Sequence, residues 1–385
     1  MPQFQGLLLV LLKQKTKNRP ESMKCTNRGV LSAPGFKFLI LLNIFLGHPS
    51  VWAADQGGLK TSVAVDLVGS FPFGEETAAV QYQSKESFKL RSAEFMFYAP
   101  IDPRFDGVLS FAAHPEGSQA YGEPEVHEAY LASTKIIDSL RFKVGQFFLG
   151  IGRINQIHQH DWPFITPTVM QRELFASDEG IIDTGVEVAA LMPLPFYLDV
   201  TLGVTNGRDF GHSHVEDDVP RTPTHYSRVV TFTDAIGLPT QIGLNYVGRT
   251  SAIGEMMKLY GIDITGKIRV LGHMSWLVQA ELWKRELTLE GTTDELVGGY
   301  GYLQHYLSRD LAVGVRYDYS SVTSAKENNR SGYEINMLYF SSEFARIGLA
   351  YYHNKREQKG RDHEETNQML LQTAFILGAH PSHNF

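Results

Sequence analysis

Connection lengths constrain this chain more than any other feature. From Lys60 onward the sequence breaks into about sixteen strand-like runs of roughly eight to twelve residues, from Lys60–Ser70 through Leu140–Gly150 and Leu311–Tyr319 to Asn367–Leu377. The even-numbered links between them are short: Pro100–Arg104, Thr134–Ser139, Met192–Pro195, Asp234–Pro239, Ile268–Gly272, Ser308–Asp310 and Ser341–Phe344. The odd-numbered links are long and polar: Phe71–Phe88, Pro115–Glu125, Ile151–Asp183, Asn206–Tyr226, Glu286–Glu295, Ser320–Ser331 and Lys355–Thr366, with Arg249–Met257 intermediate. A soluble sandwich has no reason to sort its loops by parity. A barrel with short turns at one rim and long loops at the other does.

Alternation along single runs agrees. In Leu311–Tyr319, Leu311, Val313, Val315, Tyr317 and Tyr319 share one face, and Ala312, Gly314, Arg316 and Asp318 share the other. An apolar stripe backed by a charged pair suits a wall between lipid and water. The register of Leu140–Gly150 is less clean, and Gly145 reads as a bulge. Aromatic residues gather near strand ends, among them Phe147, Phe148, Phe196, Tyr197, Tyr300, Tyr302, Tyr317, Tyr319 and Tyr352, as interfacial girdles would require. The predicted fold class is therefore all-β: a transmembrane antiparallel β-barrel of about sixteen strands, wide enough to hold water. Only 43% of residues are hydrophobic, the average expected of a wall apolar on one side.

The first 54 residues read as a signal peptide. Lys13, Lys15, Lys17, Arg19, Lys24 and Arg28 precede the apolar run Gly35–Leu46, and small residues follow at Ala53 and Ala54. Met23 is an alternative start, and residues 55–385 then form a single barrel with a short C-terminal tail. Cys25, the one cysteine, leaves with the signal, so no disulfide is expected. Removing seven of the 35 basic and one of the 42 acidic residues shifts the net charge from −7 to −13. Such a chain is a poor match for nucleic acid and favours cations at its surface.

The longest link, Ile151–Asp183, is by count the third outer loop. It carries Arg153, Asn155, His158, His160, Asp161, Arg172 and Glu173 beside Trp162 and Phe164, a mixture suited to a constriction folded into the lumen. An outward cap on the rim is the alternative. Histidines next to carboxylates also suit a zinc-like ion, and the candidate ligands are His158, His160 and Asp161, with His212 and His214 in the next loop. A solvated polar loop explains His212 and His214 as well.

The segment Gly145–Phe164, GQFFLGIGRINQIHQHDWPF, resembles a bacterial family labelled zinc-regulated TonB-dependent outer-membrane receptor, related to phosphate-selective porins. The resemblance continues at Gln171–Glu173, Glu179-Gly180, Leu191–Tyr197, Val315–Tyr319 and Leu377–Phe385. It implies a barrel in the outer membrane of a Gram-negative bacterium, contacts with outer-membrane lipid, and uptake of metal or small solutes. Zinc is the one ion it suggests, and no cofactor is required. Relatives of this kind often form homotrimers. The terminal Phe385 resembles the final aromatic read by the barrel-assembly machinery, although Pro381 ends the last strand near Gly378. Only Asp55–Leu59 separate the cleavage site from the first strand, which leaves no room for a receptor plug.

No G-x-S-x-G elbow and no H-E-x-x-H helix occurs, so no catalytic residues are assigned and a non-enzyme is expected. A porin-like passive channel for small solutes or ions, divalent metal such as zinc among them, is the leading expectation. A barrel-embedded hydrolase and a closed structural or adhesive barrel are the alternatives.

Overall fold

The computed structural model describes residues 58–73, 87–114, 124–134, 136–207, 220–234, 238–270, 273–323, 328–360 and 364–379. The signal peptide, Cys25, His212, His214, Pro381 and Phe385 lie outside the described residues.

Sixteen antiparallel strands form one closed barrel. They are β1 (Lys60–Phe73), β2 (Phe88–Pro100), β3 (Asp106–Ala113), β4 (Glu125–Ser133), β5 (Leu140–Phe148) and β6 (Ile182–Leu191). Next come β7 (Leu198–Thr205), β8 (Thr222–Thr233), β9 (Thr240–Thr250), β10 (Met256–Val270) and β11 (His273–Leu289). The last five are β12 (Thr292–Tyr306), β13 (Leu311–Ser321), β14 (Asn329–Ser342), β15 (Ala345–Glu357) and β16 (Glu364–Gly378). Each strand pairs with its sequence neighbours, and β1 closes on β16 from Ser62↔Gly378 to Phe73↔Asn367. Closure leaves no strand edge unpaired, which hydrocarbon would not tolerate.

The period-two rule holds around the wall. On β13, Val315, Tyr317 and Tyr319 are exposed outward while Arg316, Asp318 and Ser320 are buried inward. The outward face carries Leu202, Val204, Leu244, Leu282, Ile335 and Ile347, each about half exposed, an apolar belt that lipid would cover.

Three expectations change. The link Glu286–Glu295 is not long: β11 and β12 continue to a two-residue turn in which Glu290 (φ 49°) and Gly291 (φ 80°) are both left-handed. That twist matches the strands it joins, so the hairpin runs on past the apolar belt. Gly145 is no bulge, since the register is continuous through Tyr130↔Gly145 and Gly145↔Gly185. Its φ of 134° and the carbonyl of Ala129, 2.1 Å from where a Cβ would stand, are what require glycine. The aromatic set divides as well. Phe196, Tyr197, Tyr317 and Tyr319 face outward, but Phe147, Phe148, Tyr300, Tyr302 and Tyr352 are buried inside the barrel.

Candidate functional site

What buries those inward aromatics is the segment between β5 and β6, termed L3. It folds through short 3-10 turns at Ile154–Gln156 and Gln159–Asp161 and a π-helical turn at Gln171–Phe175. Leu149, Ile151, Ile154, Trp162, Phe164 and Phe175 of L3 are fully buried against wall residues including Tyr226, Leu259, Trp283, Tyr300 and Tyr302. Ile165 extends this core onto Val68, Leu338, Tyr352 and Leu370. L3 therefore lies inside the barrel, and the cap-on-the-rim alternative is excluded.

Lumen-facing charges on the wall hold its backbone. Glu281 on β11 accepts the N–H groups of Arg153 and Ile154, at 3.1 and 2.7 Å, and the hydroxyl of Tyr300. Asn245 on β9 accepts Gly152 N–H at 2.8 Å. On β14, Glu334 accepts the N–H of Ile165, and Asp318 on β13 accepts that of Val169. Arg316 lies between Asp318 and Glu334, donates to the Thr166 carbonyl and stacks 4.3 Å above the Phe164 ring. Further round the wall, Arg346 on β15 donates to the carbonyl of Trp162, and Arg91 on β2 binds Asp66 and the carbonyl of Ile165. Buried charges that each carry a partner and backbone bonds are tolerable; alone they would be costly.

The sequence-predicted constriction residues separate into three groups. Asn155 is buried at the neck, where its amide donates to Leu149 O and accepts Ile181 N–H, clasping both stems. Arg153 sits beside Arg228, and burial together with that like charge lowers its pKa. At the other end, Arg172 pairs with Asp178 inside the loop, and Glu173 reaches Arg330 on β14 at 3.1 Å.

His158, His160 and Asp161 do come together. His158 Nδ1 is 3.1 Å from Glu94 on β2 and Nε2 is 3.3 Å from Glu128 on β4. Burial opposes its charge, but Glu94 and Glu128 outweigh burial and hold the imidazolium well above the ordinary histidine range. The His160 ring stacks on His158 with centroids 5.5 Å apart, and its Nε2 is 3.1 Å from Asp161. The zinc-like ion expected here does not fit. Both His158 nitrogens are spent on separate carboxylates, so no lone pair converges with His160 on a common point.

The sequence did not mark Glu94 or Glu128, which contact His158, nor His114, His127 and Glu179, which contact one another. A bulge hid two of them: Ser110↔Glu128 is followed by Phe111↔Val126, which leaves His127 as the extra residue of β4. Two consecutive side chains, His127 and Glu128, are thereby both buried inward.

No family model matches the chain. An uncharacterized protein of Aquifex aeolicus is 29% identical over 343 aligned residues, covering 79% of this chain and 71% of the relative. Among solved structures, the outer-membrane channel DcaP of Acinetobacter baumannii superposes with a TM-score of 0.58 at 12% identity, over 84% of this chain and 97% of DcaP. The anion-selective porin from Comamonas acidovorans gives 0.57 at 8% identity, over 84% of this chain and all of that one. OmpT, an outer-membrane protein of Vibrio cholerae, gives 0.57 at 9% identity, over 85% and all of the respective chains. The architecture is that of outer-membrane porin barrels.

Proposed function

We propose that this chain is a porin-like passive channel in the outer membrane of a Gram-negative bacterium, passing small solutes or ions through the space that L3 leaves in the lumen. L3 carries this reading: a long loop folded into the barrel, fastened by charged side chains on β2, β11, β13, β14 and β15 and by Asn245 on β9, narrows the passage. Its inward position is also the common arrangement for a barrel that screens by size.

Among the described lumen-facing residues, many acids carry a basic partner. Asp66 is paired with Arg91, Asp199 with Arg141, Glu187 with Lys143, Asp263 with Arg228, and Asp318 and Glu334 share Arg316. Opposite charges at contact distance cancel a few ångströms away, so discrimination rests on size more than on sign. Divalent metal such as zinc is then one small solute among several, and the receptor role implied by the family label has no counterpart in this reading.

Planar-bilayer recording of the detergent-folded chain tests it. Discrete single-channel steps are expected, with reversal potentials close to zero in a salt gradient. Folded barrel that gives no steps would be a closed structural barrel instead, and esterase activity of the same preparation would favour the hydrolase alternative.

A further inference from the structure

Beside the stem of L3 three donors meet that no role above uses. His114, the residue just after β3, and the bulged His127 of β4 stack with ring centroids 4.8 Å apart and their Nε2 atoms 2.9 Å from each other. Glu179, on the stem by which L3 returns to β6, places Oε1 3.0 Å from His114 Nδ1 and Oε2 3.6 Å from His127 Nε2. One ligand atom from each residue lies within 4.8 Å of the others. His127 is buried, and His114 and Glu179 are only partly open.

We propose that His114, His127 and Glu179 form a binding site for a divalent first-row transition ion that pins the return stem of L3 to the β3–β4 hairpin. A tetrahedral shell with metal–ligand bonds of about 2.0–2.1 Å sets its ligand atoms about 3.3 Å apart. Two of the three separations, 2.9 and 3.6 Å, fall on either side of that edge, and the third lies within 4.8 Å, so a turn of the Glu179 carboxylate would close the shell. The second shell fits also. His114 Nδ1 lies 3.3 Å from the carbonyl of Arg91 and close to Glu179 Oε1, so the tautomer with its proton on Nδ1 turns the Nε2 lone pair towards His127. Glu179 Oε2 is then the carboxylate ligand, and a water completes the shell. Two imidazole nitrogens at 2.9 Å otherwise have to share a single proton inside a buried site. Two imidazoles with one carboxylate select zinc, copper or nickel over magnesium or calcium, whose shells are oxygen-rich.

The contrast with His158 is chemical. There carboxylates occupy opposite ring nitrogens; here one nitrogen of each ring turns to a shared point. The site does not depend on the channel reading, because its occupancy is measured without any current.

The test uses the detergent-folded chain, with folding followed by the gel shift between unheated and boiled samples. Co²⁺ is added as a spectroscopic probe and displaced by Zn²⁺. The expected result is a tetrahedral-type visible spectrum at one Co²⁺ per chain, bleached by one Zn²⁺. His114→Ala, His127→Ala and Glu179→Gln should each weaken Zn²⁺ binding at least about tenfold. His273→Ala, at an exposed position on β11, should leave it unchanged. If an alanine variant fails to fold, Glu179→Gln in the loop decides. No Zn²⁺ binding by the folded wild type, or undiminished binding by Glu179→Gln, overturns the proposal.

Discussion

Glu334 on β14 accepts both the backbone N–H and the hydroxyl of Thr166, at 2.9 and 2.6 Å. The wall thus holds the middle of L3 by its main chain, and the arrangement survives changes in many loop side chains. It depends instead on a few lumen-facing acids.

Replacing Glu334 by alanine removes the acceptor for Ile165 and Thr166 and takes one of two acidic partners from Arg316. Breaking a buried ion pair costs about 3–5 kcal/mol. The released loop should enlarge and destabilise the passage. Single-channel recording should show higher and noisier conductance, and wild-type traces from Glu334→Ala would remove L3 from the permeation path.

Asn155 fastens the neck, so Asn155→Ala should open both stems at once. The N–H of Ile181 loses its buried acceptor, at about 1–3 kcal/mol for a group left unsatisfied, while the Leu149 carbonyl loses one donor and keeps the N–H of Ile151. Hydrogen exchange at Ile181 should accelerate strongly while strands β13 to β16 keep their protection. Uniform acceleration across the barrel would mean that the neck is not a separate unit.

The His158 imidazolium gives L3 a pH dependence. Its pKa is raised in the folded state, so its contribution is complete below the unfolded value of about 6.5 and disappears as pH rises through the folded value. Protease protection of L3 should hold in mild acid and fall in the alkaline range. His158→Gln should flatten the profile. The groups facing His158 are Glu94, Glu128 and the stacked His160.

Gly145 and Gly291 separate sterics from backbone strain. At Gly145 an added Cβ meets the Ala129 carbonyl as well as an unfavourable φ, so Gly145→Ala should lower the yield of folded barrel severely. At Gly291 nothing lies within 4 Å of the added atom, and only the left-handed φ opposes it, at about 1–2 kcal/mol. Comparable yields for the two variants would contradict this distinction.

Strand number, and loop parity except at the β11–β12 turn, were legible because both follow from the contrast between lipid and water. Strand ends were not. β8 begins at Thr222, β11 runs to Leu289 and β16 starts at Glu364, each several residues into what reads as polar loop. Beyond the apolar belt the ladder continues with water on the outer face, so alternation fades while hydrogen bonding does not. The inward position of L3 was expected from its length and mixed charge. Its anchors were hidden because Glu281, Glu334 and Arg346 lie more than a hundred residues away in sequence. The bulge at His127 left no trace either, since one extra residue in a strand looks like an ordinary break in alternation.

The buried face of L3 gives this barrel two apolar regions of different origin. The outer belt is matched by hydrocarbon and gains little from excluding water once it is in the membrane. The inner one assembles within the watery bore as a small globular domain would, with Trp162 and Phe164 at its centre. Urea, which weakens hydrophobic burial in water, should therefore dissolve the lining before the shell gives way. The protein is in effect a soluble fold housed in a membrane wall, and the two should melt separately.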